Sequence, residues 1–133
     1  MWETPERVGF SIRAFQGGDR PALEALWARV FPNDPPRNAP AAMIENKLKV
    51  QPELLLIGEL DGPAGADGPV AADGPVAADT TIVGAVIAGY DGVRGWIYHL
   101  AVAPELRRRG FGAQLVRAAE EGLRRLGCSK VNL

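Results

Sequence analysis

The sequence predicts an α+β domain, a largely antiparallel sheet with helices packed against it, and three observations carry that expectation. Four segments of strand length, GFSIRAF (9–15), ELLLIGEL (53–60), TTIVGAVIAGY (80–90) and WIYHLAV (96–102), either alternate apolar with polar residues or run continuously apolar with many β-branched side chains. Residues 19–30 and 110–126 instead place apolar side chains at helical spacing. Between the second and third strands lies only a Pro/Gly-punctuated stretch, which makes antiparallel pairing the economical topology.

Each element has a local cause. In the first strand Phe10, Ile12 and Ala14 alternate with Ser11 and Arg13. Asp19 then suits an N-cap, because its carboxylate can accept the free N–H groups of a first turn, and Pro21 is tolerated there. Leu23, Leu26, Trp27 and Val30 form that helix's buried stripe, and the prolines of FPNDPPRNAP (31–40) end it. A second helix is expected over about 41–50, with Ile44, Lys47 and Leu48 on one side. YDGVRG (90–95) reads as a turn between strands, and Pro104 ends the strand that follows. In the last helix Leu115, Ala119, Leu123 and Leu126 make the apolar stripe, and Gly127 stands where a left-handed C-terminal residue belongs. Lys130 to Leu133 begin another strand. The unit ADGPVA at 66–71 recurs unchanged at 72–77, and two copies are too few for a solenoid; the 61–79 loop reads as a solvated hairpin extension without function.

Composition excludes several classes. A chain of 133 residues is one domain, 1–133. Its 15 Lys+Arg nearly balance 16 Asp+Glu, which speaks against a nucleic-acid partner. The single Cys128 rules out an internal disulfide, the N-terminal MWETPERVGF is charged where a signal peptide is apolar, and no run approaches the ~20 apolar residues that span a bilayer. A cytoplasmic protein with no membrane partner and no metal is expected.

The chemistry concentrates in ELRRRGFGAQL (105–115). The first N–H groups of a helix lack internal partners, and the helix dipole adds partial positive charge at that end. Gly110 and Gly112 let an anion approach the backbone, and Arg107, Arg108 and Arg109 add charge-assisted contacts, so the segment suits a diphosphate or similar polyanion. The spacing fits neither a dinucleotide fingerprint nor a nucleoside-triphosphate loop.

The longer string LAVAPELRRRGFGAQLVRAAEEGLRRLG resembles the acetyl-CoA-binding motif of the GNAT superfamily of N-acetyltransferases. That motif is Arg or Gln, two variable residues, Gly, a variable residue, then Gly or Ala, and residues 107–112 match every position. AGYDGVRG and GCSKV are similar to those of one small bacterial subgroup. The resemblance implies a GNAT-like mixed sheet with helices on both faces (α/β/α layers), and acetyl transfer from acetyl-CoA to a primary amine of a small molecule or protein. The backbone of Leu100, Ala101 and Val102 would pair with the pantetheine arm. Amides from about Arg108 through Gly110, Phe111 and Gly112 to Ala113 would hold the diphosphate. Family members continue into a tyrosine-bearing helix and two more strands, whereas this sequence stops at Leu133, so the C-terminal part of the fold is missing from it. That leaves a second expectation, a catalytically impaired module that binds CoA or dimerises, and it suggests a homodimer.

Tyr98 and His99 are the catalytic candidates. Strand parity sets 96, 98, 100 and 102 on one face and 97, 99 and 101 on the other, and the family's proton-handling side chains come from positions equivalent to Trp96 and Tyr98. That favours Tyr98 unless a bulge breaks the alternation. Glu59 is a more distant proton acceptor, Cys128 reads as a buried inert thiol, and Asn33, Asp34 and Arg37 could border the amine pocket.

Overall fold

The computed structural model describes residues 9–61 and 80–133; the expected 66–77 repeat and the N-terminal eight residues lie outside the described residues. Five strands, β1 (Phe10–Ala14), β2 (Leu55–Asp61), β3 (Thr80–Tyr90), β4 (Gly95–Val102) and β5 (Val131–Asn132), form one sheet in chain order. All neighbours are antiparallel except β4 and β5. Helices α1 (Arg20–Val30) and α2 (Pro40–Lys47) join β1 to β2, and α3 (Phe111–Arg125) makes the crossover that the parallel pair requires. The mixed, mostly antiparallel sheet is the predicted one.

Glycines show how the layers meet. Gly84 and Gly89, five residues apart on β3, face opposite sides of the sheet. A Cβ on Gly84 would stand 2.9 Å from Leu115 of α3, and one on Gly89 would stand 3.7 Å from Nζ of Lys47 in α2. Thus α3 covers one face and α1 with α2 the other. Leu115, Ala119 and Leu123 are fully buried on the first face, and Leu23, Leu26, Trp27 and Ile44 on the second. Phe10 of β1 stacks on Phe111, the first residue of α3, with ring centroids 4.0 Å apart.

Two local expectations need correction. Asp19 does not cap α1 through its side chain. Its carboxylate instead accepts the Gln16 N–H at 2.7 Å and two bonds from Arg13, at 2.7 and 2.9 Å, because a guanidinium on the neighbouring strand is a stronger donor than a helix N–H. The second helix ends at Lys47 rather than Val50. Past it, Gln51 adopts a left-handed φ of 54° and clamps the Tyr90 backbone, donating to its carbonyl and accepting its N–H.

Gly84 is closed from two sides, since the same added Cβ would also lie 3.2 Å from the Ala101 carbonyl oxygen, which cannot retreat. Gly84→Ala is therefore expected to cost about 1–3 kcal/mol through overpacking, read as a lower urea midpoint with an unchanged m-value.

Candidate functional site

The segment joining β4 to α3 combines exposed arginines, left-handed backbone and a helix start. Arg107 donates from Nε to the Val102 carbonyl at 3.2 Å, which draws the loop onto the strand. Arg108 and Gly110 take left-handed φ values of 70° and 85°, and α3 then begins at Phe111. Left-handed residues set beside helical ones turn successive N–H groups toward a common point. The first helical bond runs from Gln114 N–H to the Gly110 carbonyl, and no acceptor among the described residues engages the N–H groups of Arg108 to Ala113. No acidic side chain stands in the first turn, and residues 107–110 are all exposed. A Cβ at Gly112 would meet only Leu100 and Val102, each at 3.7 Å, so this position faces the outer part of β4.

On β4 the predicted alternation fails at one point. The register pairs Ala85 with Ala101 and Ile87 with Tyr98, so Val86 opposes both His99 and Leu100. His99 absorbs the extra residue in a left-handed conformation, φ 56°. The bulge therefore sets Tyr98 and His99 on the same face, that of α1 and α2, while Leu100 turns toward Gly112 and α3. Beyond Trp96, whose partner is Asn132, the outer edge of β4 has no strand neighbour among the described residues.

Tyr98 and His99 have different surroundings. Tyr98 is about half exposed and lines a cavity of about 550 Å³ under α2, together with Met43, Lys47, Gln51 and Trp96. Burial raises its pKa, so the phenol keeps its proton at neutral pH. The His99 imidazole is buried, stacked on Phe31 with centroids 4.2 Å apart and edge-on to Trp27 at 4.9 Å. Its Nε2 and the Trp27 Nε1 are buried without hydrogen-bond partners, and Asp34 Oδ2 stands 3.6 Å from the imidazole, too far for a bond. Burial lowers the His99 pKa, and Asp34 only partly opposes the effect.

Of the other candidates, Glu59 is held by Arg13 at 3.1 Å, and the Cys128 thiol is buried and donates to the Lys130 carbonyl. Asp34 approaches the site through His99. Sequence reasoning missed the cavity's use of Lys47, Gln51 and Asp91. The helical spacing of Ile44 and Lys47 was visible, but only the fold shows the lysine turned inward. Among the described residues no group of three potential metal ligands occurs, and no helix is long and apolar enough to cross a membrane.

Residues 21–133 match the model of the acetyltransferase (GNAT) family. An acetyltransferase of Yersinia pestis is 38% identical over 122 residues, 92% of this chain and 73% of that protein. Among solved structures, a putative acetyltransferase from Pyrococcus horikoshii aligns with a TM-score of 0.65 at 21% identity, over 99% of this chain and 38% of the other. The structure of AAC(6')-Iy in complex with a bisubstrate CoA analogue aligns with a TM-score of 0.62 at 20% identity, over 92% and 77%.

Because the folded protein resists protonating His99, the unfolded chain takes up that proton first, near the usual imidazole value of about 6.5. The stability due to the neutral ring is thus complete above that pH and is lost as pH falls below it. His99→Asn, which tolerates the left-handed backbone, should show a shallower loss of stability than the parent between pH 7 and 5, measured by paired urea titrations.

Proposed function

Since the chain belongs to the acetyltransferase (GNAT) family, acyl transfer is its general chemistry, and we propose that it moves an acetyl group from acetyl-CoA to a primary amine. The observation that carries the reading is the run of N–H groups from Arg108 to Ala113 with no acceptor among the described residues, beside three exposed arginines at 107–109. These groups fit a diphosphate: the amides supply fixed dipoles, and Arg108 and Arg109 supply mobile charge. Arg107 would exchange the Val102 carbonyl for phosphate oxygen, freeing the Leu100–Val102 backbone to pair with a pantetheine arm as an added strand would.

Acetyl-CoA supplies an activated thioester, whose C–S bond gives way to an amide C–N bond while one proton passes from the amine to the departing sulfur. The chain's contribution is to bind, orient and handle that proton. Tyr98, protonated at neutral pH, offers an O–H donor on the acceptor side of β4. His99 holds the bulge under Phe31 and Trp27, and so positions Tyr98 rather than acting itself as a free base.

Residues 1–133 act in this reading as one acyltransferase domain working in the cytoplasm, consistent with its single buried thiol. The outer edges of the sheet favour a homodimer. The reading is tested by calorimetric titration with acetyl-CoA and by thiol release over a panel of primary amines, where binding with release is expected. Binding without release from any amine would leave a CoA-binding module.

Gly112→Glu sets a carboxylate where the phosphates would rest, without filling occupied space. It should weaken acetyl-CoA at least ~10-fold while leaving the melting temperature nearly unchanged. Unaltered affinity would remove the cradle from the mechanism.

A further inference from the structure

The cavity under α2 holds a charge that the cradle and β4 do not explain. Lys47, in the last turn of α2, is 8% exposed, one of two buried polar residues among those described. The other, Asp19, is satisfied by Arg13 and Gln16. Lys47 makes no hydrogen bond or ion pair with any described residue; Glu53 acts on it only through space. Its ammonium lies against Gly89, whose missing side chain leaves room for it over the sheet. Gln51, adjacent to the same glycine, turns its amide to the Tyr90 backbone and makes no hydrogen bond with Lys47.

The stem of Lys47 is buried while its ammonium stands at the cavity with no partner among the described residues, and a cation held in this way is free to take an anion from a ligand. The rest of the lining is largely apolar and aromatic, with Met43, Val50, Ile87, Trp96 and Tyr98 around it. Asp91, the other charged lining residue, accepts the Val93 and Arg94 N–H groups through Oδ1, each at 2.8 Å, and makes no ion pair with Lys47. Largely apolar walls of about this volume with a few polar groups, here Asn46, Lys47, Gln51, Asp91 and the Tyr98 hydroxyl, are the make-up of a small-molecule pocket.

We infer that Lys47 is a carboxylate anchor, so that the acceptor is an amine that also carries a carboxylate and an aromatic or branched apolar group, as an apolar amino acid does. The inference rests on the acyl-transfer reading, because it is the Tyr98 end of the cavity that borders the proposed pantetheine strip. The carboxylate goes to Lys47, the apolar group to Trp96 and Val50, and the amine toward Tyr98.

The test uses product-like probes that need no turnover. N-acetyl-L-phenylalanine and N-acetyl-L-phenylalaninamide, identical except for the charge, are titrated into the parent, Lys47→Met and Lys47→Arg proteins. The parent should prefer the acid about 10- to 100-fold; Met, which keeps the apolar stem, should erase the preference, and Arg should largely restore it. Equal binding of both probes by the parent, or equal loss of both in Lys47→Met, would overturn the anchor. Acetyl-CoA affinity, measured on the same proteins, should not change. Its absence from the parent would count against acyl transfer itself, whatever the two probes do, so the two failures are distinguishable.

Discussion

One extra residue in β4 organises the site. Without the bulge opposite Val86, Tyr98 and His99 would face opposite layers, and the strand would present a uniform ladder to its outer side. A histidine in the left-handed region is strained, at a cost on the order of 1–3 kcal/mol, and such strain persists only where surroundings impose it. Here Phe31 and Trp27 impose it, by enclosing the imidazole from α1 and the residue that follows it. The packing of one helix thus determines which way three consecutive side chains of a neighbouring strand point.

From that constraint follows a division of labour along β4. Its beginning, Trp96 to Tyr98, turns aromatic side chains into the cavity under α2, and its end, Leu100 to Val102, lies beside Gly112 and the start of α3. In the proposed reaction, donor and acceptor would meet at the bulge while being held by different layers. The α3 layer is tied to the sheet: Phe10 stacks on Phe111, so the first strand braces the first residue of the helix whose amides would form the proposed cradle. Dipoles fixed in this way need little reordering when a ligand arrives.

Much of this was legible in the residues. The β-branched run at 80–90 and the stripe through Leu115, Ala119 and Leu123 gave their elements because period and burial agree there, and Gly127 takes the left-handed φ of 96° that its position suggested. The cradle proposal draws on glycine spacing and charge, which are local facts of the sequence. What escaped was tertiary. Parity at Tyr98 and His99 depends on a partner strand's register, the Asp19 carboxylate answers to Arg13 across a turn, and Lys47 looks like any surface lysine until α2 is laid over Gly89. Close approaches at Gly58, Gly84 and Gly95 were likewise invisible, since a glycine in a strand does not announce which side chain presses on it.

The thiol of Cys128 fills the space that Gly95 leaves open, where an added Cβ would stand only 2.7 Å from the sulfur, and Leu123 seals the other side. As the chain has a single, buried cysteine, alkylation of the native protein reports opening around Cys128, where the segment after α3 meets β4. The speed at which native protein is labelled is therefore a clock for opening at this one seam, already installed by the sequence and readable without adding a probe.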